Sequence, residues 1–406
     1  MTRTERTRVA IVGAGPAGLL LSHLLHREGI DSVVLDERDR DQIETTVRAG
    51  ILEQGTVEVL DATGASERAL REGHRHEGIE LRFGGEGHRI DFERLVGRGV
   101  YLYPQHEVLK DLIARRLADG GDVRFGHRAI SARDAENPVV EVEAPDGERY
   151  ELVADAVVGA DGSRSVVRTL VTGSQTGGYF REYPFAWFGI LCEAPPSAPE
   201  LIYSASPRGF ALVSQRSETV QRLYLQCDPE LDPDSMSEAE IWDELQARVA
   251  GTTLHEGPIF QRDVLRFRSF VAHRLLNGNA LLVGDAAHTV PPTGAKGLNL
   301  AVADVLLVAD ALIEFATTGS RAGLDAYPAA ASHRIWRAQH FSWWMTSMLH
   351  AAPDETEFDL HRRMGELESV TASEHGSAYL AEAYTGWPLA GSIGRGIRRR
   401  SPARRP

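Results

Sequence analysis

Two groups of residues in this sequence have the types and spacing to hold anions. The first is Gly13, Gly15 and Gly18, a G-x-G-x-x-G set. Its first glycine permits a tight turn, its second lets a pyrophosphate approach the backbone, and its third lets a helix pack closely on a strand. A helix opening there faces the phosphates with free N–H groups and a partial positive charge. Asp36 follows 18 residues after Gly18, near the spacing of a carboxylate that holds a ribose hydroxyl pair. The second group is Ser214, Arg216 and Tyr224. With Ser214 to Arg216 on one strand and Tyr224 on the next, alternation puts Ser214 and Arg216 on the same face. Arg216 can then grip a carboxylate through two parallel N–H bonds, with the Ser214 and Tyr224 hydroxyls as further donors. Each group has a plainer alternative: a glycine turn in some other α/β protein, and a surface Arg–acid pair flanked by a core tyrosine.

The elements around the glycines favour the first reading. RVAIV (8–12) reads as a short buried strand, 19–28 as a helix with Gly29 at its C-cap, and SVVL (32–35) as a second strand ending at Asp36. This βαβ unit points to a dinucleotide but does not distinguish FAD from NAD. Further buried strands are expected near 150–161 and 280–285. The stretch 184–226 alternates apolar and polar residues and is rich in aromatics, which predicts an antiparallel sheet. From Leu298 to about Leu367 the pattern is helical, broken by Pro328 and by a turn near Pro353. The expected fold class is therefore α/β: a Rossmann-like dinucleotide-binding domain with an inserted antiparallel β-sheet substrate domain and C-terminal helices. The expected boundaries are 1–178 for the first part of the binding domain, 179–269 for the sheet domain, 270–345 for the return, 346–393 for the helical region and 394–406 for a tail.

Composition narrows the partners. The 406 residues are 42% hydrophobic and carry a net charge of −14. Such a surface argues against nucleic acid or an anionic membrane as main partner, while a local arginine cluster can still oppose the global field. Two cysteines, Cys192 and Cys227, exclude a disulfide framework and a cysteine metal cage. They fit a reducing cytosol, so a cytoplasmic protein without a bound metal is expected. No signal peptide is visible, and the longest apolar runs fall far short of the ~20 residues of a membrane span. The end, GRGIRRRSPARRP from Gly394, holds six arginines and reads as a disordered basic tail.

Two further motifs, ADGSRSVVR (160–168) and GDAAHTVPPTGAKGLNLAVADV (284–305), join GAGPAG in resembling the class A flavoprotein monooxygenases, the single-component aromatic hydroxylases. The resemblance implies that the glycines hold the FAD pyrophosphate, that Asp285 meets the ribityl chain, and that Asp161 serves both FAD and the nicotinamide cofactor. Arg48 and Gln105 match family contacts to the FAD phosphates. Gly297, Leu298 and Asn299 can present N–H groups at a helix start to the flavin's electron-rich end. Lys296 matches a lysine that adds positive potential near the flavin. Arg222 matches an arginine coupled to the swing of the flavin between exposed and buried positions. Singly, Asp285 could be a helix cap, Arg48 a helix-terminal charge, and Lys296 and Arg222 solvated cations.

RAGILEQGTV (48–57), HEGIE (76–80), YPFAWFG (183–189), ELIYSASPRGFALVSQRS (200–217) and HFSWWMTSMLH (340–350) extend the resemblance over nearly the whole chain. They narrow it to family members acting on 4-hydroxybenzoate. It implies that Ser214, Arg216 and Tyr224 hold the benzoate carboxylate and that Tyr203 meets the phenol oxygen. Tyr384 would extend that chain and His76 would pass the proton to solvent. Thr293 would line the site, and the Pro292 carbonyl would favour the reactive ring orientation. Taken alone, the tyrosines could be core residues and His76 a surface histidine. The implied reaction is reduction of FAD by NADH or NADPH, formation of a C4a-hydroperoxide with O2, and oxygen transfer ortho to the phenolate, giving 3,4-dihydroxybenzoate.

The nicotinamide route departs from the family pattern. Glu37 stands where an NADPH-type member has arginine and Gln42 where it has tyrosine. Glu37 would repel a 2′-phosphate, while Arg38 and Arg40 could offset that. NADH preferred, or both accepted, is expected. Thr46 replaces an arginine, and Ser163-Arg164 replaces an aromatic–histidine pair; Arg168 and Arg268 are expected on the same route. A homodimer, through the C-terminal helices, is also implied. The rivals are the same chemistry on 3-amino-4-hydroxybenzoate, 4-aminobenzoate or 3,4-dihydroxybenzoate, a flavin redox sensor without oxygenation, and a halogenase or reductase on the same fold.

Overall fold

The computed structural model describes residues 3–46 and 50–400. Arg48 lies outside the described residues.

The first sheet is built on five parallel strands in the order Asp122–Phe125, Ser32–Asp36, Arg3–Val12, Arg149–Gly159, Ala280–Leu282. Its central members are runs of Val, Ile, Leu and Ala because helices cover both faces: Val9 to Val12 and Val33 to Leu35 are all buried. Helix Pro16–Arg27 packs on it from one direction and Gly297–Thr318 lies against that helix.

The second sheet has eight strands, in the order His288–Thr289, Ile259–Ala272, Gly178–Glu193, Val220–Cys227, Gly209–Gln215, Leu201–Ser206, Gly78–Phe83, Glu86–Asp91. The antiparallel heart falls where alternation predicts it. The sheet is nonetheless not drawn from 179–269 alone: 78–91 and 288–289 come from segments assigned by sequence to the dinucleotide domain. Those strands are short, so their pairing is set by the edge they complete rather than by local pattern.

Alternation divides this sheet into two faces. Ile202, Ala211, Val213, Leu223 and Leu225 pack with Ile241, Trp242 and Leu245 of helix Glu238–Arg248. Tyr203, Phe210, Leu212 and Tyr224 turn the other way, into the main core. The second face is therefore closed against the dinucleotide domain and the C-terminal helices, where a dry site can form.

Two helical expectations change. Pro328 does not end a helix; it sits inside Ala322–Leu349. The break comes earlier, at Gly319 in a left-handed conformation. Leu324, Tyr327 and Ala331 are buried around the proline, and Tyr327 donates to the Leu282 carbonyl at 2.7 Å. That packing offsets the roughly 3 kcal/mol an interior proline costs. The basic end also begins as structure: Gly391–Arg400 is helical, anchored by Ser392, whose N–H and hydroxyl both donate to Asp310. The break near Pro353 is present, between Leu349 and a helix Glu357–Thr371 capped by Thr356 and Asp359. Among the described residues no helix is long and apolar enough to cross a membrane.

Candidate functional site

The glycine turn lies at the carboxyl edge of the parallel sheet. Gly13 has φ +109°, and a Cβ there would sit 2.3 Å from the Ala160 carbonyl oxygen; one on Gly18 would sit 2.0 Å from that of Gly13. Both positions thus require glycine. At Gly15 the nearest atom to a Cβ is 4.0 Å away, which leaves the room a phosphate needs. Pro16 opens the helix, at a position where no intrahelical N–H is lost. Asp36 accepts from Ala14 N–H at 2.8 Å and is forked by Arg38 at 3.0 and 2.9 Å.

Two more carboxylates line this edge. Asp161 caps the helix Val166–Thr172 through one oxygen, accepting from Val166 N–H at 2.7 Å. Its other oxygen is buried without a partner, and burial raises its pKa. Asp285 is partly exposed. The loop behind it is pinned by Asp304, which accepts from Gly284 N–H at 3.0 Å and pairs with His288 at 2.6 Å.

Arg168, expected on the nicotinamide route, has another task. Its guanidinium donates to the backbone carbonyls of Gly162, Ser163, Gln175, Asp285 and Ala286 and stacks over Phe270. It is buried and clamps the loops carrying Asp161 and Asp285 together, so no N–H is left for a second ligand. Arg268 reaches Ser163 at 2.6 Å, and Arg164 is exposed. Glu37 is exposed too, but the cations expected to oppose it are engaged: Arg38 with Asp36, and Arg40 with Glu44 at 2.6 Å. Gln42 closes a capping box with Asp39.

The helix starting at Gly297 holds the residues that the sequence leads one to expect near the flavin. Gly297 and Leu298 are partly exposed. Asn299 is committed to backbone, accepting from Glu53 N–H and donating to Ile51 and Ala295. Lys296 is not a solvated cation. It is 2% exposed and donates to Glu53 at 2.6 Å and to the Tyr384 carbonyl at 2.9 Å, with Arg334 3.6 Å from the same glutamate. Burial lowers its pKa, which Glu53 counters.

On the inner face of the second sheet, Tyr203, Leu212 and Tyr224 form one cross-strand row, and Ser214 and Arg222 form the next row along the same face. Tyr203 and Tyr384 share a hydrogen bond of 2.7 Å. Burial holds the pKa of both above the ordinary phenol value. His76 is buried rather than at the surface, and burial pushes its pKa down to about 4. Its Nε2 meets the Gln215 amide nitrogen at 3.0 Å, while Nδ1 has no partner. No hydrogen bond joins it directly to Tyr384 among the described residues.

The strand expected to carry Ser214 to Arg216 ends at Gln215. Arg216 stands just beyond, where its N–H bonds the Val220 carbonyl and turns the hairpin. Its guanidinium has no carboxylate partner among the described residues; Nη2 donates to His106 Nδ1 at 3.1 Å. Ser214 already donates to the Arg222 carbonyl at 2.7 Å, so its hydroxyl must rotate to serve a ligand. Arg222 is buried, lies over the Tyr224 ring and has one unpartnered nitrogen. Burial raises the Tyr224 pKa to about 12. The Pro292 carbonyl accepts from Ala295 N–H, and Thr293 accepts from the Thr346 hydroxyl. Gln105 opens the helix Gln105–Ala118 beside His106.

Sequence reading missed Gln215, His106 and the His288–Asp304 pair as partners of site residues. The Gln215–His76 and Arg216–His106 contacts span 139 and 110 residues, whereas His288 and Asp304 are 16 apart within 284–305, where the histidine inside GDAAH was the local hint.

Comparison with known proteins accords with this geometry. Residues 6–342 match the family described as FAD binding domain. The chain is 40% identical over 391 residues to p-hydroxybenzoate hydroxylase of Acinetobacter baylyi, covering 95% of this chain and 96% of that one. It is 31% identical to 6-methylpretetramide 4-monooxygenase of Streptomyces rimosus, covering 76% and 75%. Among solved structures, p-nitrophenol 4-monooxygenase from Pseudomonas putida shares the fold with a TM-score of 0.78 at 22% identity, over 95% of this chain and 99% of that one.

Proposed function

This chain belongs to the family of FAD-dependent aromatic monooxygenases, and from that premise we propose that it hydroxylates 4-hydroxybenzoate ortho to the phenol, using NADH in preference to NADPH, or either, together with O2. The observation that carries the substrate is Arg216: a half-buried cation without a carboxylate partner among the described residues, just past the end of the strand whose inner face pairs with Tyr203. Tyr203 pairs with Leu212, four residues before Arg216, roughly 13 Å along the strand, a gap that the long arginine side chain reaching back and a carboxylate para to a phenol span together.

The residues present fit FAD. Gly13 and Gly18 make a cradle that any Cβ would fill, the unpartnered Asp161 oxygen is buried beside it, and Asp285 stands further along the edge. Bound there, FAD supplies hydride acceptance from the nicotinamide cofactor and the activation of O2 for oxygen transfer. The chain's own part is to bind, orient and dry. Arg216 and Tyr224 hold the carboxylate end. Tyr203 hydrogen-bonds the phenol oxygen and Tyr384 continues the chain, so the phenol proton can move away along the hydroxyls and leave an electron-rich phenolate out of contact with water. His76, neutral at pH 7 with one open nitrogen, is the next acceptor or donor along the path. Lys296, paired with Glu53, adds a fixed positive end behind Tyr384.

Glu37, exposed and standing where an NADPH-type member has arginine, with Arg38 and Arg40 both engaged by carboxylates, supports NADH. A cytoplasmic homodimer completes the reading. Pairing through the C-terminal helices would cover Trp336, Trp343 and Phe358, which are exposed. The test is NADH oxidation by the purified yellow protein in air, with and without 4-hydroxybenzoate, with products separated by chromatography. Stimulation with matching 3,4-dihydroxybenzoate is expected. Stimulation that yields mainly hydrogen peroxide moves the substrate to a ring analogue, and absence of stimulation with either cofactor overturns the assignment.

A further inference from the structure

Arg216 stands past the end of its strand, so the sheet fixes its backbone but not its long side chain. What orients the guanidinium is His106. Nη2 donates to His106 Nδ1 at 3.1 Å, the one side chain that hydrogen-bonds this guanidinium among the described residues. An arginine only donates, so Nδ1 must be bare and the ring proton must sit on Nε2. That nitrogen lies 3.3 Å from Glu107 Oε1, the right neighbour for an N–H. Glu107 is fixed in turn by Lys110 at 2.7 Å and Arg68 at 2.8 Å. Burial first, and Arg216 second, lower the His106 pKa, which keeps the ring in the neutral form this bond needs.

We infer that His106 is a positioning residue for the substrate carboxylate: it holds one nitrogen of Arg216 so that the remaining N–H groups face the ligand. The inference rests on the carboxylate-binding reading of Arg216. Gripping a carboxylate costs a flexible side chain its rotamer freedom, and a partner that fixes the guanidinium beforehand removes part of that cost. The line from Arg216 through His106 and Glu107 to Arg68 also ties a hairpin bend to a helix N-terminus and so resists displacement of the cation.

The test uses full-length, FAD-loaded protein with His106→Ala and His106→Asn. Kd for 4-hydroxybenzoate and for its uncharged amide, 4-hydroxybenzamide, is read from the flavin absorbance change, and KM and kcat from turnover. Loss of one charge-assisted bond predicts that His106→Ala weakens 4-hydroxybenzoate by about tenfold. The loss should fall on KM, with kcat at saturation retained and the amide unaffected. An asparagine amide oxygen can accept from Nη2, so His106→Asn should recover most of the affinity. Unchanged affinity in His106→Ala, equal weakening of both ligands, or an asparagine variant no better than alanine each overturns the inference. If the unaltered enzyme binds no aromatic carboxylate, it is the underlying reading of Arg216 that fails.

Discussion

The hydroxyls of Tyr203 and Tyr384 lie 2.7 Å apart, although 181 residues separate them in the chain. One belongs to the inner face of the second sheet and the other to helix Glu374–Thr385. Both are buried. Burial keeps both protonated well beyond neutral pH. Two neutral hydroxyls in series can shift a proton by exchanging O–H bonds, with no charge left on either. This contact is the part of the site that a merely structural pair of core tyrosines would also show, so substitution must separate the two.

Removing either hydroxyl should impair hydroxylation far more than binding. For Tyr203→Phe and Tyr384→Phe we expect kcat at pH 7 to fall by about 10²-fold, the lower range for lost proton-transfer catalysis. Kd for 4-hydroxybenzoate should change by less than about threefold. The deficit should shrink above about pH 9, where a phenol begins to ionise unaided. Steady-state kinetics over pH 6–10, with the ratio of hydroxylated product to NADH consumed, decide it. A uniform loss at all pH values would mean the pair only packs.

Arg216 should set the preference for an anionic substrate. Arg216→Gln removes the charge but keeps much of the length, and it should raise KM for 4-hydroxybenzoate by about 10²-fold, as expected for a bidentate charge-assisted contact. Arg216→Lys, which cannot fork a carboxylate, should recover only part of this. The informative control is an uncharged para-substituted phenol, whose turnover should be indifferent to both changes. Equal losses on charged and uncharged phenols would remove Arg216 from the carboxylate.

For the reductant, kcat/KM with NADH should exceed that with NADPH. Glu37→Arg should reverse or level that ratio by at least about tenfold, since it exchanges a repelling charge for an attracting one near the 2′-phosphate. The engaged Arg38 and Arg40 should not compensate in the unaltered enzyme. A large NADPH preference in the unaltered protein would refute this reading.

The βαβ unit was legible because its signals are local: an apolar run, glycines at positions that tolerate no Cβ, and an acid at the end of the next strand. The sheet face carrying Tyr203 and Tyr224 was legible for the same reason, through alternation. What the sequence hid depends on distant partners. Lys296 is buried because Glu53, 243 residues away, accepts from it. Arg168 spends its donors on five carbonyls, which no composition or spacing announces. Arg216 leaves its strand because the hairpin closes on Val220, a choice of register rather than of residue type. Pro328 reads as a breaker locally and is held in its helix by Tyr327 and its neighbours.

Acid should destabilise this protein through two buried histidines. His350 is stacked 4.2 Å from Phe210 and 4.8 Å from Phe185. Its Nδ1 lies 2.9 Å from the Thr346 carbonyl, to which it donates, and its Nε2 accepts from Trp187 Nε1–H at 2.7 Å. Both nitrogens are satisfied only by the neutral ring, and burial pushes the pKa down to about 3; His76 is pushed down to about 4. An unfolded histidine titrates near 6.5. Below that value the unfolded chain takes up protons that the folded chain refuses, so stability present above pH 6.5 is lost as pH falls toward these folded values. Between pH 7 and 5 each site should remove about 2 kcal/mol. Thermal unfolding of the FAD-saturated protein over pH 5–7 should therefore show a Tm falling with acid. His350→Gln should have a lower Tm at pH 7 but a shallower slope, by one proton's worth. If the variant and the unaltered protein lose stability at the same rate with acid, His350 is not the group that titrates on unfolding.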